Sequence, residues 1–312
     1  MSIYSWILAR QADGGFASDV NLPDHDDLGP DGGAAWVPGA YEALLMRSDY
    51  SIRRYAFQNY LLARKVKKQI TKPSDANREA AETALRKTGA IAVVDPLASF
   101  LISMRTDRNA ARSEAMRLAA ESGKRELVKV GIALLGVFGS AEDIPVIETL
   151  SSHEEFTFYG APAIRALAGA EKVNGILLPL CDRLDGWGKT AILYELNYSG
   201  ENGGTASDYL LRRGCANRLG TEINANLCAT KGRLSEKLEE LCAPDAELPD
   251  GELFRGICDI MWGLTVFDGV HDSINDYKHG INARSCFKEL VESKPVLCET
   301  DGRAAAIIER MR

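Results

Sequence analysis

The sequence predicts an all-α protein: a superhelix of stacked helical hairpins with capping helices at both ends. Three observations predict it. Gly139, Gly169, Gly200 and Gly232 follow apolar helical stretches at steps of 30, 31 and 32 residues, the length that two helices and their turns require. Displacing the chain by 29 residues lays Ile144 on Val173 and Ile147 on Ile176, and brings Ala161–Leu167 close to Thr190–Leu196. No stretch shows the alternating polarity of a strand. Hairpins of this size cannot bury an apolar face alone, so they must stack on neighbours.

Taken in order, residues 1–33 read as an N-terminal arm, because Gln11–Gly33 is dominated by Asp, Gly and Pro. Residues 34–124 form an N-terminal helical region. Its first helices cover Ala40–Met46 and Ile52–Ile70 and stop before Thr71-Lys72-Pro73, where proline opposes continuation. Asp75–Lys87, Ile91–Met104 and Ala110–Glu121 follow, rich in strong helix formers, with Gly89 and Gly123 as stops.

Residues 125–242 form the repeat core. Arg125–Phe138 carries Leu127, Val128, Val130, Ile132, Leu134, Leu135, Val137 and Phe138 on every side, the mark of a helix covered all round. Gly139 is expected as a left-handed stop, and Ser140 with Asp143 as a capping box. Ser152 with Glu155, and Thr205 with Asp208, repeat that pattern. Later helices are expected over Ser207–Arg213, Glu222–Thr230 and Leu234–Leu241. Residues 243–312 then form a C-terminal cap: after the acidic, Pro-containing break Ala243–Gly251, helices are expected over Glu252–Tyr277, Ala283–Glu292 and Gly302–Met311.

Composition narrows the function. The chain has 312 residues, 46% hydrophobic and 26% charged, with net charge −7. That balance disfavours bulk attraction to nucleic acid or anionic lipid and mildly favours a partner with a basic surface. No segment has the apolar length of a membrane span, and the start, MSIYSWILAR, lacks the features of a secretory signal, so a cytoplasmic location is expected. The seven cysteines, none in a C-x-x-C pair, read as reduced thiols.

Over Ser140–Gly200 the pattern resembles HEAT-like repeats of the armadillo-type superhelix. Asp185-Gly186-Trp187-Gly188, Tyr209–Cys215 and Cys228–Gly232 resemble bacterial HEAT-like proteins, some labelled limonene hydroxylase. The resemblance implies a superhelix with a grooved binding face. The hydroxylase label implies redox chemistry, for which the sequence offers no heme-thiolate motif, no dinucleotide-binding glycine fingerprint and no iron ligand set.

The side chains with chemical potential carry two readings each. Asp268, His271, Asp272, Asn275, Asp276 and His279 are spaced by three and four, so on one helix they share a face. Asp272, Asp276 and His279 are then candidate metal ligands, against the plainer reading of a solvated face. His153-Glu154 resembles the His-Glu pairs of HEAT-like di-iron hydroxylases, but a single pair after Ser152 reads as the first turn of a capped helix. Asp24–Ala35 lacks the fifth- and twelfth-position ligands of an EF-hand. Arg53, Arg54, Arg64, Lys65, Lys67 and Lys68, interleaved with Tyr50, Tyr55, Phe57 and Tyr60, suit nucleic acid. They equally suit a helix whose aromatics face the core and whose cations face water. Trp187 reads as a recognition aromatic or as packing between repeats, and with Arg212 and Arg213 it is a candidate partner contact.

The expected function is a non-catalytic scaffold that binds another protein along its curved face. No cofactor is expected. The alternatives are a metal-dependent enzyme built on the Asp/His row and nucleic-acid binding through the basic helix.

Overall fold

The computed structural model describes residues 1–12, 17–24, 37–47, 56–266 and 271–311. All regular structure among them is helical. The chain divides into two compact units, Met1–Glu195 and Leu196–Arg312. This boundary falls inside residues 125–242, which the repeat reading treats as one core.

The first unit contains α1 (Ile3–Ala12), α2 (Ala40–Arg47), α3 (Ala56–Thr71), α4 (Asp75–Thr88), α5 (Ala90–Ser103), α6 (Arg108–Glu121) and α7 (Arg125–Phe138). A 3-10 turn, Ala141–Asp143, leads into α8 (Ile144–Ser151), and α9 (Glu154–Ala168), α10 (Val173–Cys181) and α11 (Trp187–Glu195) follow. The helices expected from α4 to α7 are present, with ends displaced by at most two residues. Local chemistry explains those ends. Ser74 and Asp107 accept the amides of Asn77 and Ala110 to cap α4 and α6, and Gly89 turns the chain at φ +80° between α4 and α5.

Within this unit α6 pairs with α7, α8 with α9 and α10 with α11, while the second helices pack on one another: α5 on α7, α7 on α9, α9 on α11. The 30-residue beat recurs in the bonds between successive pairs. Arg108 donates to the Gly139 carbonyl, and Arg112 grips Asp143 with two bonds of 2.8 Å. Glu154 accepts the Asp185 amide and Arg165 donates to the Glu195 carbonyl, so the separations are 31, 31, 31 and 30 residues. Helix α7 is buried on nearly all sides, but Val137 is the exception and is exposed.

The glycine beat has mixed causes. Gly169 and Gly200 lie at positive φ, whereas Gly139 (φ −77°) and Gly232 (φ −74°) are not left-handed stops. At Gly139 the need is space: a Cβ would lie 2.4 Å from the Leu135 carbonyl and 2.6 Å from the Asp143 carboxylate. That carboxylate accepts the Ser140 amide, closing the expected capping box.

The second unit contains α12 (Gly200–Tyr209), which widens into a π-type turn over Leu210–Gly214, a 3-10 turn Thr221–Ile223, and α13 (Ala225–Lys231). After these come α14 (Leu234–Cys242), α15 (Gly251–Leu264), α16 (Gly280–Ser293), α17 (Leu297–Thr300) and α18 (Arg303–Arg310). Thr205 lies inside α12 and caps nothing. Two of the motifs carrying the family resemblance pack together here, since a Cβ on Gly214 would lie 2.5 Å from Cys228 Sγ and one on Gly232 3.2 Å from the Leu211 side chain. The helix expected over Glu252–Tyr277 stops at Leu264, and residues 271–279 are turns. Among the described residues, no helix is long and apolar enough to cross a membrane.

Candidate functional site

The densest polar site in the described structure lies in the first unit, where the N-termini of α2, α5, α7, α9 and α11 meet. Each helix start leaves amides without partners inside its own helix and carries a partial positive charge. Carboxylates from other segments satisfy them. Asp24 accepts the Arg125 amide at the start of α7 (2.7 Å), and Glu126 accepts that of Ala90 at the start of α5 (2.6 Å). Glu155 accepts the Gly39 amide ahead of α2 (3.2 Å), and Glu154 accepts the amides of Asp185 (3.3 Å) and Gly188 (3.1 Å) at α11.

The close approach accounts for Asp185-Gly186-Trp187-Gly188. A Cβ on Gly186 would lie 2.2 Å from a Glu154 carboxylate oxygen, and one on Gly188 2.8 Å from Thr157 Oγ1. Trp187 itself is half-buried, and its Cβ would lie 3.1 Å from a Cβ on Gly39, so it packs where α2 meets α11.

At the centre is Lys129 of α7, with a side chain 3% exposed. Its ammonium lies 2.6 Å from Glu42, 2.9 Å from Glu126 and 2.7 Å from Glu155. An ammonium has three protons, and here three carboxylates take them. Burial alone would lower the Lys129 pKa, but the three glutamates outweigh it and hold the group charged well above its ordinary range. Burial pushes the Tyr159 phenol up as well; its hydroxyl donates to Glu42 (3.2 Å).

The carboxylates differ. Burial would raise Glu155, but Lys129 and Arg125 prevail and hold it below the usual range. Burial raises Glu42 against the pull of Lys129, and Glu42 Oε2 has no hydrogen-bond partner among the described residues. Glu42 therefore keeps its proton more readily than Glu155.

Chemically, this arrangement is an ionic rivet. A lysine whose protons are all engaged offers no lone pair for nucleophilic or base catalysis. Glu42, Glu126 and Glu155 each bring an oxygen within 4.8 Å of the others, a separation suited to a metal ion. The cation they enclose is the chain's own ammonium.

Ser152-His153-Glu154-Glu155 fastens the N-terminal segment to this rivet. Gln11 donates to Ser152 (2.7 Å), the Glu154 amide to the Ser18 carbonyl (2.8 Å), and Ser18 Oγ to Glu154 (3.3 Å). The residue capping α9 is His153, not Ser152: its Nδ1 accepts the Glu155 amide (3.2 Å). Nε2, 2.7 Å from the Val20 carbonyl, must then carry the proton, which fixes a neutral tautomer. Burial, with Arg125 in support, lowers the His153 pKa against the pull of Val20, Glu155 and Asp19.

The folded pKa of His153 lies below the unfolded value of about 6.5, so its contribution is complete above that pH and is lost as pH falls through the folded pKa. Protonation would also set a donor against the Glu155 amide. The thermal midpoint of the first unit should therefore begin to drop as pH falls below about 6.5, before ordinary carboxylates titrate. In His153→Asn, which retains a capping side chain, it should stay level across that window. An equal drop in both proteins would refute this role for His153.

The residues singled out in the sequence lie elsewhere. Asp272, Asp276 and His279 do not share a helical face; Asp276 accepts from the Ser273 amide and hydroxyl (both 2.8 Å), and His279 precedes α16 with its ring edge-on to Tyr277. Arg212 is held by Asp250 (2.8 Å) and Asp208 (2.8 Å), and Arg213 by Glu252 (2.6 Å). On α3, Leu62, Val66 and Ile70 are buried while Arg64, Lys65 and Lys68 face water. Tyr60, which the core reading turns inward, is instead exposed and meets Phe100 edge-on, so aliphatic side chains and not the described aromatic make the buried face. Arg53, Arg54, Tyr50, Tyr55, the Phe57 side chain, Asp268 and residues 25–35 lie outside the described residues. Lys129, Glu42, Glu126 and Tyr159 were not singled out, although a lysine in a helix apolar on every side is itself the signal for a buried ion pair.

Compared with known proteins, the chain matches no family model, no curated protein and no solved structure. The fold and the site define the class by themselves: an all-α protein of paired helices whose main polar cluster is internally neutralised.

Proposed function

We propose that the paired helices of the first unit are HEAT-like repeats and that the protein is a non-catalytic scaffold binding another protein. One observation carries the reading. The penultimate residues of four successive second helices, α5, α7, α9 and α11, are Ile102, Val137, Leu167 and Tyr194. All four are apolar or aromatic. Ile102 is 58%, Val137 36% and Tyr194 63% exposed, and Leu167 is half-buried. Helices that pack side by side thus present one large apolar residue each at the same level, a recurrence expected of a contact row. The site at the opposite ends of these helices supports the same reading, because its lysine is saturated and unsuited to catalysis. Net charge −7 favours a partner of basic character.

The test is capture of partners from cell extract, followed by reconstitution with the purified partner. Ile102→Glu, Val137→Glu and Tyr194→Glu combined should weaken binding by 100-fold or more while leaving the helical signal unchanged. Binding that survives all three substitutions, or the absence of any saturable partner, would contradict the proposal.

A further inference from the structure

We propose that Cys242 and Cys286, in the second unit, are an oxidisable pair that closes into an intramolecular disulfide in the presence of hydrogen peroxide. Helices α14 and α16 pack together and are fixed in register by polar contacts. The Asn282 amide donates to Ser235 Oγ (2.7 Å) and to the Glu239 carboxylate. Lys294, just beyond α16, donates to the carbonyls of Leu241, in the last turn of α14, and of Ala246, four residues past it, both at 3.0 Å. Ser235, Glu239 and Cys242 recur at four and three residues on α14, and Asn282 and Cys286 are four apart on α16, so the clamp continues directly into the thiols.

The Cys242 thiol donates to the Cys286 carbonyl at 3.2 Å, which brings its sulfur up to the backbone of Cys286, and the Cys286 thiol lies 3.7 Å from Asn282 Oδ1. Accessibility narrows the candidates to three. Cys242, Cys286 and Cys298 are half-buried and open to a small oxidant, whereas Cys181, Cys215, Cys228 and Cys258 are buried. Of the three, Cys242 and Cys286 lie on the two facing helices and are joined by a thiol–carbonyl hydrogen bond.

The chemistry balances with peroxide as the oxidant. One cysteine, as thiolate, attacks a peroxide oxygen; the O–O bond breaks, hydroxide leaves and a sulfenic acid forms. The second thiolate attacks that sulfur, the S–O bond breaks and the S–S bond forms. In total, two thiols and one hydrogen peroxide give one disulfide and two waters. Burial raises both thiols, with the neighbouring carboxylates of Glu239 and Glu289 adding to the effect. The reaction should therefore be slow at neutral pH and accelerate as pH rises towards 9.

The test treats the reduced full-length protein with hydrogen peroxide at about pH 8.5, counts thiols and maps peptides without reductant. The seven thiols should fall to five, with one linked peptide joining Cys242 to Cys286, in monomeric protein, reversed by dithiothreitol. Cys242→Ser, starting from six, should form no linked peptide at Cys286. Any one of three results would overturn the proposal: an unchanged thiol count, linkage elsewhere such as Cys258 to Cys298, or sulfinic acids at Cys242 and Cys286 without a disulfide.

Discussion

Replacing Lys129 with methionine should destabilise the first unit by roughly 3–5 kcal/mol, the usual cost of stranding buried charges. The substitution preserves most of the side-chain volume and removes only the cation. Glu126 and Glu155 then face each other across a dry site, with Glu42 close by, and what remains is mutual repulsion and the Arg125 guanidinium, 3.7 Å from Glu155. Because Glu42 reaches Lys129 from α2, the loss should be largest where the N-terminal segment meets α7 and α9. Amide exchange of α2 and residues 17–24 should accelerate more than that of α3 and α4. Glu42→Gln is the contrasting variant. It replaces the carboxyl that already resists ionisation, so it should cost no more than about 1 kcal/mol. Equal effects from Lys129→Met and Glu42→Gln would show that the cluster does not act through charge.

Gly131→Ala should cost about 3 kcal/mol, the upper end for overpacking, from a single methyl group. Its Cβ would lie 2.4 Å from the Ala119 amide nitrogen and 2.8 Å from the Ala115 carbonyl oxygen. Both are backbone atoms of α6, so no rotamer change relieves the clash and the two helices must separate along their contact. On helix propensity alone, alanine would be favoured here by about 1 kcal/mol, so the sign of the measured change decides between local and tertiary control. Denaturant unfolding followed by amide exchange in α6 and α7 measures it.

Much of the helix layout was legible because the relevant physics is local. Strong formers marked α4 to α6, with Gly89 and Gly123 read as stops, and apolar residues on every side marked α7 as enclosed. The misplaced features depend on distant partners. Gly139 was expected to be left-handed because it follows a helix, yet its role is to admit Asp143 and Leu135. Asp268–His279 keeps helical spacing without being a helix, since spacing by three and four arises readily in a polar turn segment.

Ser152 with Glu155 was read as the capping box of α9 and His153-Glu154 as its first turn. Only the folded chain shows that Glu154 and Glu155 cap α11 and α2. Lys129 lay within a helix whose enclosure was recognised, but its partners come from three helices and Glu42 is 87 residues away in sequence. Such a set is assembled by stacking, and no short motif announces it.

The most direct test of the scaffold reading is site-specific photocrosslinking in living cells, with a photoreactive phenylalanine analogue placed in turn at Val137, at Tyr194 and at Lys172 on the first-helix side of the pairs. The account predicts that Val137 and Tyr194 crosslink to the same protein and that Lys172 does not. Crosslinks confined to Lys172, or the same partner captured equally from all three positions, would contradict it.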